Sequence, residues 1–282
     1  MKTLLEIVKL SEEFLAKKGI SSAKKEAEML VSGVLGMSRM DLYLQFERPL
    51  NQEELDRIRE RLKRRGEGEP LPYIEGAVEF YRCDLQVNSS VLIPRQETEV
   101  LVDKIVKELK FLDLKGKRLL DLCTGSGGIG LAIKKEFPDL EVLLSDISED
   151  ALRVAQANAQ RNQLDVKCLL GDFLEPLKME RVDFVVCNPP YISKEEFEAL
   201  SPEVKEFEPH LALFGGEDGL RFYRQLKEKL PLHLYPHGRV WLEIGAAQGA
   251  AVSALFSGPV WKKVVLEKDW SGRDRFISLE FE

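Results

Sequence analysis

Two spacings of apolar residues divide the chain. Through the first 65 residues they recur every three to four positions, as helices require. Leu4, Ile7, Val8, Phe14 and Leu15 fall on one helical face, and Gly19 ends that run. Ala23, Ala27, Leu30, Val31 and Val34 make a second stripe closed by Gly36. Ser38 with Asp41, and Asn51 with Glu54, have the spacing of N-terminal caps for two further helices. A small helical domain is therefore expected over residues 1–72, ending in the linker Gly66-Glu67-Gly68-Glu69-Pro70-Leu71-Pro72. Val78 to Tyr81 and Leu85 to Val87 then alternate like a short hairpin within a connecting segment, residues 73–89.

From about residue 90 to 282 the pattern becomes strand and helix in alternation, which predicts an α/β domain built on a doubly wound sheet. The expected strands are Arg118–Leu122, Glu141–Ser145, Val166–Leu170, Val182–Cys187, Arg239–Ile244, Val264–Glu267 and Phe276–Phe281. No helix-length spacer separates the last two, so one strand of the seven should run antiparallel.

Composition narrows the class without choosing a function. The chain has 282 residues, 44% of them apolar and 32% charged, which suits two globular domains. Its net charge of −7 argues against a protein whose main partner is nucleic acid. Residues 1–88 hold 15 basic and 16 acidic side chains, so the basic run from Arg57 to Arg65 reads as a solvated helix end before it reads as an RNA contact. Cys83, Cys123, Cys168 and Cys187 show no CxxC pairing and read as reduced, small apolar residues. The N-terminus, Met1-Lys2-Thr3-Leu4-Leu5-Glu6, meets a charge too early for a signal peptide, and no apolar run reaches membrane-spanning length. A cytoplasmic protein is expected.

The chemistry begins where the strand Arg118–Leu122 runs into Asp121-Leu122-Cys123-Thr124-Gly125-Ser126-Gly127-Gly128-Ile129-Gly130. Glycines at 125 and 127 permit a tight turn and close approach of a ligand to the backbone. Cys123, Thr124 and Ser126 complete the candidate cradle. Gly125, Gly127 and Gly130 also match GxGxxG, but Asp121 would repel the pyrophosphate of a dinucleotide and suits the ammonium of an amino acid. Asp146 ends the next strand, placed for ribose hydroxyls. Asp172 and Phe173 end the one after, a carboxylate and an aromatic edge suited to an adenine. Amino acid, ribose and adenine in succession describe S-adenosylmethionine.

The fourth strand ends in Asn188-Pro189-Pro190-Tyr191. Two prolines fix the turn and remove two backbone donors. The Asn188 oxygen and the Pro189 carbonyl can then accept both N–H groups of a planar –NH₂, and Tyr191 offers a surface for its π-system. Held so, a delocalised nitrogen points its electrons at an electrophilic methyl about 3–3.5 Å away. No general base is called for before transfer. His210, His233 and His237 lie in no motif, and no metal-ligand spacing is present.

Together with Ile93-Pro94-Arg95-Gln96-Glu97-Thr98-Glu99, Glu208-Pro209, Gly215-Gly216-Glu217-Asp218-Gly219 and Leu242-Glu243-Ile244-Gly245, these motifs make the whole chain resemble the HemK/PrmC family, protein-(glutamine-N5) methyltransferases of peptide-chain release factors. The resemblance implies a class I, Rossmann-like methyltransferase domain behind a helical domain that docks class I release factors. It implies S-adenosyl-L-methionine as cofactor, S-adenosyl-L-homocysteine as product, and no metal. Asn188 and Pro189 would grip the glutamine of a Gly-Gly-Gln motif, with Pro190 and Tyr191 alongside. Gly125, Gly127, Asp146 and Phe173 would hold the cofactor, and Arg95 and Glu97 would serve the substrate. Gln96 stands where proline is common in the family. A nucleic-acid adenine-N6 or cytosine-N4 methyltransferase is the alternative, since it grips an exocyclic amine with the same tetrapeptide; the net −6 of the second domain disfavours it. A non-enzymatic nucleotide-binding module would have no use for Asn188, and an NAD-dependent oxidoreductase has Asp121 against it.

Overall fold

Residues 2–282 are described by a computed structural model, whose contacts divide into two units. One comprises Met1–Gly76 with Pro202–Phe207, the other Ala77–Ser201 with Glu208–Glu282.

In the first unit the helices are α1 Leu4–Lys17, α2 Ala23–Leu35, α3 Arg39–Leu44, α4 Gln52–Gly66 and α5 Leu71–Glu75. Capping boxes start α3 and α4 at Ser38/Asp41 and Asn51/Glu54, as their spacing predicts, and a third starts α1 at Thr3/Glu6. Gly36 ends α2 in the left-handed conformation that a side chain would resist. Leu4, Leu15, Ala27, Leu30, Val31 and Ile58 fill the core. The basic run at the end of α4 is largely spent on ion pairs. Arg61 forks onto Glu75, Arg64 onto Glu69, and the buried Arg65 bridges Glu26 and Glu203. Arg57, Arg59 and Lys63 remain exposed.

The second unit opens with the hairpin β1 Ala77–Phe80 and β2 Cys83–Gln86. Its two turn residues, Tyr81 and Arg82, both have positive φ, an arrangement usually given to Asn-Gly. The Glu99 carboxylate accepts the Tyr81 N–H at 2.7 Å, which helps to hold the strained turn. Phe80, Cys83 and Leu85 are core residues of this unit, so the hairpin packs as part of it and not as a free connector.

The remaining elements are α6 Gln96–Leu109, β3 Arg118–Leu122, α7 Gly128–Glu136, β4 Glu141–Asp146, α8 Glu149–Arg161, β5 Lys167–Leu170, β6 Val182–Cys187, α9 Lys194–Glu198, α10 Pro202–Phe207 (which belongs to the first unit), α11 His210–Leu213, α12 Arg221–His233, β7 Leu234–Glu243, α13 Gly249–Leu255, β8 Trp261–Lys268 and β9 Asp274–Phe281. The sheet order is β5-β4-β3-β6-β7-β9-β8, and β9 alone runs against its neighbours. Alternation along the strands splits the core in two. Leu119, Leu144, Phe184 and Val186 face α6, α7 and α8, while Leu120, Leu122, Val185 and Cys187 face α12 and α13. β7 begins five residues earlier than its alternation predicts, because Pro236 and His237 sit in an irregularity between its pairings to Val182 and Phe184. The order of the sheet changes direction between β3 and β6, so their C-terminal ends form the crevice where ligands bind in such folds.

Candidate active site

A cavity of about 240 Å³ opens at that crevice. Its wall includes Cys123, Thr124, Gly125 and Ser126 after β3, Asp146 after β4, Asp172 and Phe173 after β5, and Asn188 and Pro190 after β6. Arg95, Thr98, Leu211, Arg221 and Phe222 close it further. Most of the residues expected from sequence to touch cofactor or substrate therefore meet in one place.

The glycine loop is built from the backbone outward. Asp121 is buried beneath it, where Oδ2 accepts the Thr124 hydroxyl at 2.6 Å and the Gly130 N–H at 2.8 Å. A Cβ at Gly130 would lie 2.3 Å from Leu144 and 3.0 Å from Asp121, so only glycine lets α7 approach the sheet this closely. Asp146 accepts the Gly125 N–H through Oδ2 and the Ser148 N–H through Oδ1, both at 2.9 Å. Gly125 has φ +54 with nothing within 4 Å of the missing Cβ, leaving its backbone bare towards the cavity. Cys123 and Phe173 are also left-handed, at φ +58 and +55, and both lie in the cavity wall. Such strain concentrates at functional loops.

Asp121 does not reach the wall. Burial pushes its carboxyl up to about 7, and Oδ1 has no partner among the described residues. It holds the loop; the sequence reading that sets it against a ligand ammonium is not met by this arrangement. Gly127 shapes the turn at φ +84 and is likewise absent from the wall. Burial also raises the Asp146 carboxyl, against the lowering effect of backbone donors at Ser148, Gly125 and Ile147.

At the other end, Asn188 is half-buried at the end of β6, and among the described residues no partner occupies its carboxamide. Pro189 is buried and contributes no wall surface, while Pro190 does. Residues that the sequence motifs gave no physical role brace the tetrapeptide. A Cβ at Gly215 would fall 2.7 Å from the Pro190 carbonyl, and one at Gly219 would fall 2.3 Å from the Tyr191 carbonyl. The Gln248 amide donates to that Tyr191 carbonyl at 2.8 Å. Tyr191 lies behind the wall, and its hydroxyl donates to Glu243 Oε1 at 3.5 Å; burial raises its phenol well above the ordinary value.

Arg95 and Glu97 part company. Arg95 lines the cavity and is tied to the buried Glu208 at 2.5 Å. Glu208 also accepts the Ile93 N–H at 3.3 Å. Glu97 is exposed in the first turn of α6, away from the wall. No cluster of metal-ligating side chains occurs among the described residues, and none of their helices is long and apolar enough to cross a membrane. All four cysteines are unpaired.

An open parallel sheet, a glycine loop and two strand-end carboxylates around one cavity define a class I methyltransferase. Residues 96–206 match the methyltransferase small domain and residues 6–76 the PrmC N-terminal domain. A methyltransferase from Pyrococcus furiosus shares the fold, with a TM-score of 0.51 and 18% identity over 70% of this chain and 88% of that one. Release factor glutamine methyltransferases of Geobacter sulfurreducens and Chlamydia trachomatis serovar L2 are 39% and 41% identical over 98% of this chain, covering 95% and 93% of their own lengths. The chain belongs to the release factor glutamine methyltransferase family.

Proposed function

We propose that this protein methylates the side-chain amide nitrogen of the glutamine in the Gly-Gly-Gln motif of class I release factors, using S-adenosyl-L-methionine. The observation that carries the reading is the free Asn188 carboxamide at the cavity wall, beside a turn whose prolines offer no competing N–H. Kinship with the family supports the substrate.

The residues fit the cofactor. The bare backbone at Gly125 and the Asp146 carboxylate suit its polar parts, and Ile147, Phe173 and Phe222 give apolar walls for a base. When bound, it supplies an electrophilic methyl group. Asn188 Oδ1 and the Pro189 carbonyl accept the two amide N–H groups of the acceptor. Its nitrogen is thereby aligned for in-line attack, and the positive charge that develops on it meets two fixed oxygen dipoles. The bound cofactor would supply the methyl and its sulfur would keep the bonding pair, while the nitrogen held by Asn188 and Pro189 would pass its spare proton to water. Asp172, Arg95 and Pro190 complete the proposed contacts.

The helical unit is proposed as the docking element for the release factor. Removal of residues 1–76, which spares the core hairpin, should raise the KM for intact release factor much more than that for a short glutamine peptide. Equal KM changes for both would count against docking. The central test is incubation with methyl-labelled cofactor and either release factor or duplex DNA. Label on the glutamine supports the reading, and label on DNA alone ends it.

A further inference from the structure

The last residue of β7 is a carboxylate that the proposed chemistry does not touch. Glu243 is only 2% exposed. Its Oε2 accepts the Thr98 hydroxyl at 2.7 Å, and its Oε1 faces the Tyr191 hydroxyl at 3.5 Å. No cation pairs with it among the described residues. Arg275 is engaged by Asp269 and the Ile244 carbonyl, and Arg95 by Glu208. The backbone around it is already secured, because the Tyr223 hydroxyl donates to the Glu243 carbonyl at 2.8 Å. A buried carboxylate with two neutral donors is a net cost to folding, so the fold alone gives no reason for an acid here. Both donors border the site: Thr98 lines the cavity, and Tyr191 belongs to the Asn-Pro-Pro-Tyr turn.

We propose that Glu243 is a positioning residue for methyl transfer: acting through the Tyr191 hydroxyl, its carboxylate fixes the ring behind the cavity wall and with it the Asn-Pro-Pro-Tyr turn that holds the acceptor amide. This rests on the function proposed above. Tyr191 is then held at both ends, by Gln248 at its carbonyl and Glu243 at its hydroxyl. The 3.5 Å contact is long, and a substrate pressing on the turn can shorten it. Burial pushes the Glu243 carboxyl up to about 7, opposed by the Thr98 hydrogen bond, the Arg275 charge and the Tyr191 hydroxyl, and assisted by Glu97 on α6. Tyr223 on α12 also faces it, as a neutral phenol. Below neutral pH the carboxyl gains a proton and accepts poorly from Tyr191. Alignment then loosens.

The test measures kcat and KM from about pH 5.5 to 9 for the wild type, Glu243→Gln, Tyr191→Phe and the double variant. Wild-type kcat should fall on the acid side with a midpoint near 7. Glu243→Gln should lower kcat about tenfold at pH 8, abolish that acid limb and leave cofactor affinity unchanged. Tyr191→Phe keeps the ring and should do the same, and the double variant should be no worse than either single one. An acid limb that survives Glu243→Gln, or single losses that multiply in the double variant, would overturn the proposal. Should Glu243→Gln not fold, infrared titration of the carboxyl band in wild type and Tyr191→Phe decides. The midpoint should rise when the phenol is removed, and an unmoved midpoint overturns the proposal. That measurement needs no acceptor, so it stands even if the glutamine reading falls.

Discussion

The two ends of the cavity hold their carboxylates in opposite ways. At the glycine loop, backbone amides do much of the holding: Gly125 and Ser148 donate to Asp146, and Gly130 to Asp121 beside the Thr124 hydroxyl. At the acceptor end only side chains serve, with Thr98 and Tyr191 hydroxyls meeting Glu243. A backbone donor is fixed by the fold and survives most substitutions nearby. A hydroxyl donor swings on its own rotamer, so each partner depends on the other. The cofactor end should therefore respond to mutation locally, and the acceptor end as a unit.

The sharpest break in this comparison is Asn188→Ala. It removes one preorganised oxygen at the reacting nitrogen and should reduce kcat by about 10²–10³, with cofactor affinity unchanged by calorimetry. Asn188→Asp keeps an acceptor of the same size. If it retains much more activity than Ala, acceptance of the N–H is what matters; if it is equally inactive, the amide donor is needed as well. Wild-type turnover in Asn188→Ala would remove Asn188 from the reaction.

A smaller effect is expected from Asp146→Ala. The ribose contact proposed for this carboxylate is charge-assisted, and its loss should weaken cofactor binding by roughly 1.5–3 kcal/mol. Because Asp146 also receives the Gly125 N–H, part of that loss will come from a loosened loop. The kcat at saturating cofactor should change little. A large fall in kcat with intact affinity would contradict the division between the two ends.

The same division explains what was legible in the sequence. Asp121, Gly125, Gly127 and Asp146 fall within 26 residues, and the sheet's own alternation puts them at adjacent strand ends. All seven strands of the large sheet, the lone antiparallel one and two of the four capping boxes follow from equally local patterns. Thr98 and Glu243 lie 145 positions apart, and nothing in either neighbourhood announces the other. Glu243 appears in the sequence only within a motif, without a physical role. The role of Gly215 was hidden for the same reason, since the carbonyl it must clear belongs to Pro190. The place of Asp121 is not legible in the sequence, because a strand-end acid can face either the ligand or the helix behind the loop. Its place on the α7 side, with Leu119, decides for the helix. The positive φ of Cys123 and Phe173 had no signal, because neither residue type prefers that conformation.

Asp121 gives the gentlest test of how a carboxylate held partly by the backbone behaves. Its folded value of about 7 lies above its ordinary 3.8, so between those limits the native state keeps a proton that the unfolded chain has lost. Stability from this group is full below about pH 3.8 and drains away as pH rises through 7. The slope it contributes is at most about 1.4 kcal/mol per pH unit, one proton's worth. Asp121→Asn should remove that slope. Its Oδ1 can still accept from Thr124 and Gly130, while its amide nitrogen takes the place of the unpartnered oxygen and costs a roughly constant amount at every pH. The variant should thus be less stable than wild type at pH 5 and recover relative to it by pH 8, in denaturant melts without cofactor. Glu243, also raised to about 7, leaves a residual slope of the same sign in both proteins. A stability difference between the two that does not vary from pH 4 to 8 would mean that Asp121 is ionised throughout, and that the backbone amide and the Thr124 hydroxyl suffice to keep it so.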